Sequence, residues 1–247
     1  MADATGGGPA RAVLVFDLDG TLYRGSAQAE RYGRELERAV AREKASAFRR
    51  EVDAYLAGET LAPGYDDWDS LARIARRFEA DPGGMQQAFL RTRSFMLSGR
   101  CALEVPAGLS EFLEEVRGRV FRLAVSNSPA SSVDPLLTKL GLLSCLDRTE
   151  ASAHKPQGFT MRVEGVLREA GLLGAPVLSI GDHLRNDIEP AREAGWDTAY
   201  IRSRPDFPAG ASTYEGPSVE ALLPDLRAWV LTRVGPPGGE AEERSGR

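Results

Sequence analysis

Two aspartates two residues apart open the run Asp17-Leu18-Asp19-Gly20-Thr21, directly after the apolar stretch Ala12 to Phe16. Carboxylates held this close repel, and each makes the other harder to ionise. A cation relieves that cost. Mg2+ takes one or two carboxylates and keeps its other positions for water and substrate phosphate. Three later clusters extend the pattern. Ser126-Asn127-Ser128, followed by Pro129, offers hydroxyls and backbone N–H groups at an expected helix start, where phosphate is favoured. His154-Lys155-Pro156 puts a lysine in a loop, and Gly181-Asp182-His183-Leu184-Arg185-Asn186-Asp187 adds two more acids. Taken singly, each cluster is an ordinary feature: an Asx turn, an N-cap, a solvent-facing lysine. Taken together, four acids and one lysine are the charge pattern of a Mg2+–phosphate site.

Such a set works only if the chain brings it to one place. Ala12–Phe16, Val120–Val125 and Pro176–Ile180 are short β-rich apolar runs, as expected of strands covered on both faces. Thr198–Ile201 is a weaker fourth. Between them Leu109, Phe112, Leu113 and Val116 share a face at helical spacing. So do Met161, Val163, Val166 and Leu167, and then Ile188, Ala191 and Ala194. Alternating strands and helices predict an α/β fold with a parallel sheet, and ligands bind beyond the carboxyl ends of such strands. The polar clusters fall at those ends. Residues 25–104 break the alternation. Tyr32, Leu36, Val40, Phe48, Val52 and Leu56 lie mostly four apart, as do Trp68, Leu71, Ile74 or Ala75, and Phe78. Asp81-Pro82 reads as an N-cap with Pro at N1, opening a helix through Met85, Phe89 and Met96. This stretch predicts an all-helical insertion.

The four clusters, in this order, resemble the motifs of the haloacid dehalogenase superfamily of hydrolases. The resemblance spans roughly residues 12 to 202. It implies a Rossmann-like core over 11–24 and 105–233, and a helical cap over 25–104. It implies that Asp17 is the nucleophile that forms an aspartyl-phosphate. Asp19 matches the acid that protonates the leaving oxygen and then the base that activates water. Ser126 and the Asn127 backbone N–H match the phosphate-binding groups, and Lys155 the cation that pairs with Asp17 and the transferring phosphoryl group. The Asp17 carboxylate, the Asp19 main-chain carbonyl, Asp182 and Asp187 match the Mg2+ site. Dehalogenases of the family lack an acid two residues after the nucleophile, so Asp19 favours phosphoryl chemistry. One departure is Gln157-Gly158-Phe159, where relatives often place a second Pro.

The expected activity is a Mg2+-dependent phosphatase acting on a small phosphorylated metabolite. A phosphomutase or phosphotransferase on the same core, a dehalogenase, and a regulatory protein with an idle core are the alternatives. Of 247 residues, 31 are basic and 36 acidic, for a net charge of −5, which argues against nucleic-acid or anionic-membrane binding. Two cysteines, Cys101 and Cys145, cannot build a disulfide framework or a tetrahedral zinc site. No apolar run approaches a membrane span, and cytoplasmic residence is the expectation. The polar, Gly-rich ends, 1–10 and 234–247, are expected to be disordered tails.

Overall fold

The sheet is entirely parallel, with the order β3-β2-β1-β4-β5-β6. The computed structural model describes residues 12–236. Its strands are β1 (Val13–Phe16), β2 (Phe121–Val125), β3 (Arg148–Glu150), β4 (Val177–Gly181), β5 (Asp197–Ile201) and β6 (Tyr214–Gly216). The central three, β2-β1-β4, are the three strongest apolar runs of the sequence. Side chains alternate along a strand, so β1 feeds two cores. Leu14 and Phe16 pack in one cluster with Phe112, Leu136 and Trp229, from α5 (Leu109–Glu115), α6 (Ala130–Lys139) and α9 (Val219–Val234). Val13 and Val15 pack in another with Val163, Val166 and Ala191, from α7 (Phe159–Glu169) and α8 (Glu189–Glu193). The edge strands β3 and β6 and the helix α9 were not anticipated. The edge strands have three residues each, too few to show a period.

Residues between β1 and α5 form four helices, α1 (Ala27–Leu36), α2 (Ala45–Leu56), α3 (Asp67–Arg77) and α4 (Pro82–Leu97). The stripe from Tyr32 to Leu56 is broken, because a 3-10 turn at Glu37–Ala39 separates α1 from α2. Tyr32, Leu36, Phe48, Val52, Leu71, Ile74 and Ala88 form an apolar cluster that draws only on this insertion. The Asp81 carboxylate accepts from the Gly84 N–H at 2.6 Å, with Pro82 in the first turn, so the capping signal does start α4. The chain leaves the core and returns side by side: Arg24 and Glu104 exchange backbone hydrogen bonds of 2.9 Å each. Both cysteines are buried and free.

The expected tail 1–10 lies outside the described residues, as do residues 237–247. Val234 instead closes α9 and packs against the core. No described helix is long and apolar enough to cross a membrane.

Candidate active site

Register assembles the site. Phe16 pairs with Ala124 on one side and Ile180 on the other, so Asp17 leaves the sheet level with the ends of β2 and β4. Its N–H donates to the Ile180 carbonyl at 2.8 Å. Asp17, Asp182 and Asp187 bring carboxylate oxygens within 4.8 Å of one another. Two glycines permit the approach. A Cβ on Gly20, which has φ +81°, would lie 2.0 Å from Asp182 Oδ2, and one on Gly181 would lie 2.5 Å from Asp187 Oδ2.

Lys155 ties the acids together. Its Nζ donates to Asp17 Oδ1 at 2.5 Å, to Asp187 Oδ1 at 2.6 Å and to the Val125 carbonyl at 2.9 Å. The loop carrying it is fixed by Asn127, whose Nδ2 donates to the Lys155 carbonyl at 3.0 Å and whose Oδ1 accepts from the Lys155 N–H at 2.6 Å. That leaves the Asn127 side chain committed to the loop. Within the departing segment, position 158 requires glycine, because a Cβ there would stand 2.2 Å from the Ala153 carbonyl oxygen. Ser126 Oγ accepts from the Ser128 N–H at 3.1 Å, in a turn directly after β2.

The acids are not equivalent. Asp187 Oδ1 is taken by Lys155 and Oδ2 by the His183 N–H at 3.1 Å. Asp182 Oδ1 is buried and has no hydrogen-bond partner. A buried carboxylate oxygen without a donor is costly unless a cation faces it, so the site fits Mg2+. Burial pushes the Asp17 carboxyl up to about 7, with Lys155 pulling it down and Asp187 and Asp19 adding to the rise. Burial also holds Asp182 well above the usual range, with Asp66 and Asp17 adding to it. At Asp17 and Asp182 the folded state therefore binds more protons than the unfolded chain between about pH 4 and 7, and their contribution to metal-free stability falls as pH rises through that window. Asp182→Asn removes one such charge. In EDTA at pH 8 the variant is expected to melt several degrees above wild type, with the gain shrinking at pH 5 and no stabilisation by Mg2+. Lower melting in EDTA at both pH values would contradict this account.

Asp19 faces the insertion. Its Oδ1 accepts from the Tyr23 hydroxyl and from Arg93 Nη1, and Ser128 Oγ lies 3.4 Å from Oδ2. Arg93 comes from α4, is 3% exposed, and also reaches the Tyr23 hydroxyl at 3.3 Å. Nothing in the sequence distinguishes it, because one arginine in an arginine-rich helical stretch is ordinary surface composition. Removing one partner of a buried pair costs about 3–5 kcal/mol. Arg93→Met is therefore expected to lower Tm by roughly 10 °C and Asp19→Asn in that background to recover part of it. Additive losses in a double-mutant cycle would disprove the coupling.

The two histidines separate. His154 is exposed, whereas His183 is buried, accepts the Asn186 N–H on Nδ1 at 3.2 Å and stacks on Tyr65 with ring centroids 5.0 Å apart. Burial lowers the His183 pKa and favours the neutral ring. A cavity of about 250 Å3 opens over the site, bordered by Asp17, Ser126 and Lys155 below and by Asp66, Trp68 and Arg76 of the insertion above. Asp66 caps α3 through the Asp69 N–H at 2.6 Å, and burial pushes its carboxyl up to about 7.

No curated protein matches the chain. Among solved structures it is similar to YfnB of Bacillus subtilis, described as a HAD-hydrolase bound to magnesium, at 18% identity and TM-score 0.59, covering 88% of this chain and 99% of the other. It is similar to a HAD phosphatase of Thermococcus onnurineus at 19% identity and TM-score 0.56, covering 89% and 97%. A Thermotoga maritima protein assigned as β-phosphoglucomutase gives 17%, 0.56, 88% and 99%. At these identities the likeness is one of fold. The family model for haloacid dehalogenase-like hydrolases matches residues 12–195, which hold all four polar clusters, and the chain belongs to that family.

Proposed function

We propose that the protein is a Mg2+-dependent phosphatase that hydrolyses a small phosphorylated metabolite through an aspartyl-phosphate on Asp17. The observation that carries this reading is Lys155 held on Asp17 at the sheet edge, with Ser126 beside it and a second acid, Asp19, two residues on. Lys155 occupies Asp17 Oδ1, so Oδ2 is the oxygen free to attack phosphorus. As the Asp17–phosphorus bond forms, the bond to the leaving oxygen breaks and its electron pair takes a proton from Asp19. Asp19 Oδ1 is held by Tyr23 and Arg93, so Oδ2 is its proton-carrying oxygen. Asp19 then accepts a proton from water as the water oxygen attacks phosphorus. The bond to Asp17 breaks, releasing inorganic phosphate. The Ser126 hydroxyl and Asn127 N–H hold the phosphoryl oxygens, and Lys155 balances their charge. Asp17, Asp182, Asp187 and the Asp19 carbonyl would hold Mg2+, which when bound supplies further charge neutralisation there. The helices over 25–104 act as a cap that excludes bulk water.

The test is free-phosphate release from a panel of phosphate monoesters with Mg2+ and with EDTA. Mg2+-dependent release from one or a few esters is expected. Phosphate that moves to another position of the substrate, with none released, would establish the phosphomutase reading instead. Chloride release from 2-chloropropionate would overturn phosphoryl chemistry.

A further inference from the structure

Among the charged side chains that border the reaction cavity, Asp66 and Arg76 are the two without an ion-pair partner among the described residues. Lys155 serves Asp17 and Asp187, Arg93 serves Asp19, and Arg73 serves Asp69 at 2.8 Å. Arg24 and Arg204, which border a second cavity reaching Asp19, are paired with Glu220 at 2.6 Å and Asp206 at 2.9 Å. Arg76 also borders the reaction cavity, and among the described residues it has no carboxylate within ion-pair distance. Its neighbour Arg77 is paired with Glu51, so the two adjacent arginines differ in kind.

Position gives Arg76 a direction. Asp69, Ala72 and Arg76 follow the 3–4 spacing of one helix face, and all three border the cavity. Arg76 lies seven residues beyond Asp69 along α3, about 10 Å at 1.5 Å per residue. That spacing sets it apart from the Asp66 and Asp69 end of the helix. The cavity adjoins an outer one of about 630 Å3, and Ala72, Arg76, Phe89 and Asn127 border both. A substrate whose phosphate lies on Ser126 and Lys155 would extend its other end toward a guanidinium with no protein partner. Arg is suited to that task, because its planar fork binds carboxylate and phosphate through two parallel hydrogen bonds.

We infer that Arg76 is an anion anchor that selects phosphate monoesters of a few carbons bearing a second anionic group, a carboxylate or another phosphate. This deepens the phosphatase reading and rests on it for the position of the first phosphate. Arg76 is exposed, so its substitution spares the core. A charge-assisted hydrogen bond supports a preference of about tenfold.

The experiment measures binding and turnover separately. Binding uses two phosphonates that cannot be hydrolysed, 3-phosphonopropionate and propylphosphonate, titrated calorimetrically in Mg2+. Wild type is expected to bind the carboxylated one about tenfold more tightly. Arg76→Glu is expected to erase or invert that ratio, and Arg77→Ala to retain it. Turnover compares carboxymethyl phosphate with 2-aminoethyl phosphate, for which Arg76→Glu is expected to shift the kcat/KM ratio toward the amine by tenfold or more. A wild-type binding ratio within twofold of one overturns the anchor. An equal fall in Arg76→Glu and Arg77→Ala also overturns it, because that is a long-range charge effect. If the binding ratios behave as expected and no ester is cleaved, the hydrolytic reading fails while the anchor stands.

Discussion

Asp17→Asn is expected to lose phosphate release by about 10³-fold or more while keeping a cooperative melt near that of wild type. The loss follows from the chemistry. An amide cannot supply the attacking oxygen, and removing a nucleophile cannot be compensated by the groups that position it. The retained fold follows from the environment. Asp17 is a buried carboxyl already pushed up to about 7, so replacing it with a neutral isostere does not add a buried charge. Lys155 loses one partner but keeps Asp187 and the Val125 carbonyl. Phosphate release by purified Asp17→Asn within tenfold of wild type would remove Asp17 from the nucleophile role, and circular dichroism would separate that from unfolding.

Lys155→Met is expected to give the largest loss of stability, and a pH-dependent one. Methionine keeps the apolar stem but leaves Asp17, Asp182 and Asp187 facing one another without a cation. Deleting one partner of a buried charge cluster costs about 3–5 kcal/mol, or a Tm lower by roughly 10 °C in a chain of this size. The sign with pH is set by the carboxyls. Asp17 and Asp182 have folded pKa values above the unfolded ones, and that of Asp17 rises further without Lys155, so they take up protons as pH falls. The deficit should be greatest at pH 8, shrink toward pH 5, and be partly relieved by Mg2+ at pH 8. In the proposed reaction, where Lys155 balances the transferring phosphoryl group, turnover should fall by about 10²-fold or more. A melting temperature at pH 8 unchanged by the substitution would show that Lys155 does not balance these acids.

Both predictions concern residues that stand out in the sequence. Asp17, Ser126 and Asp182 directly follow or lie one residue past strands with unmistakable apolar runs, and a parallel sheet delivers its strand ends to one edge. Order along the chain was therefore enough to foresee that they meet. The same holds for Lys155, whose loop precedes α7 and whose reach was set by Asn127 and Gly158. The short edge strands β3 and β6 left no trace, because three residues carry no readable period. The division of labour among the acids was also hidden. Asp182 and Asp187 look alike in sequence, yet both oxygens of Asp187 accept from Lys155 and the His183 N–H, and Asp182 keeps an oxygen without a partner.

The insertion marks the boundary of what the sequence determined. Its helices were legible from apolar spacing and from the Asp81-Pro82 cap, both local signals with a period of 3.6 residues. Which of its polar side chains would look into the cavity was not local. Arg93 is buried on Asp19, Arg77 is spent on Glu51, and Arg76 faces the reaction cavity unpaired, although all three are arginines in similar helical surroundings. A helix face acquires a partner only when the helix is docked. Local patterning along the chain sufficed to bring Asp17, Ser126 and Asp182 to one sheet edge. What stands over that edge is set by docking, because it depends on how four amphipathic helices pack on one another and on the core.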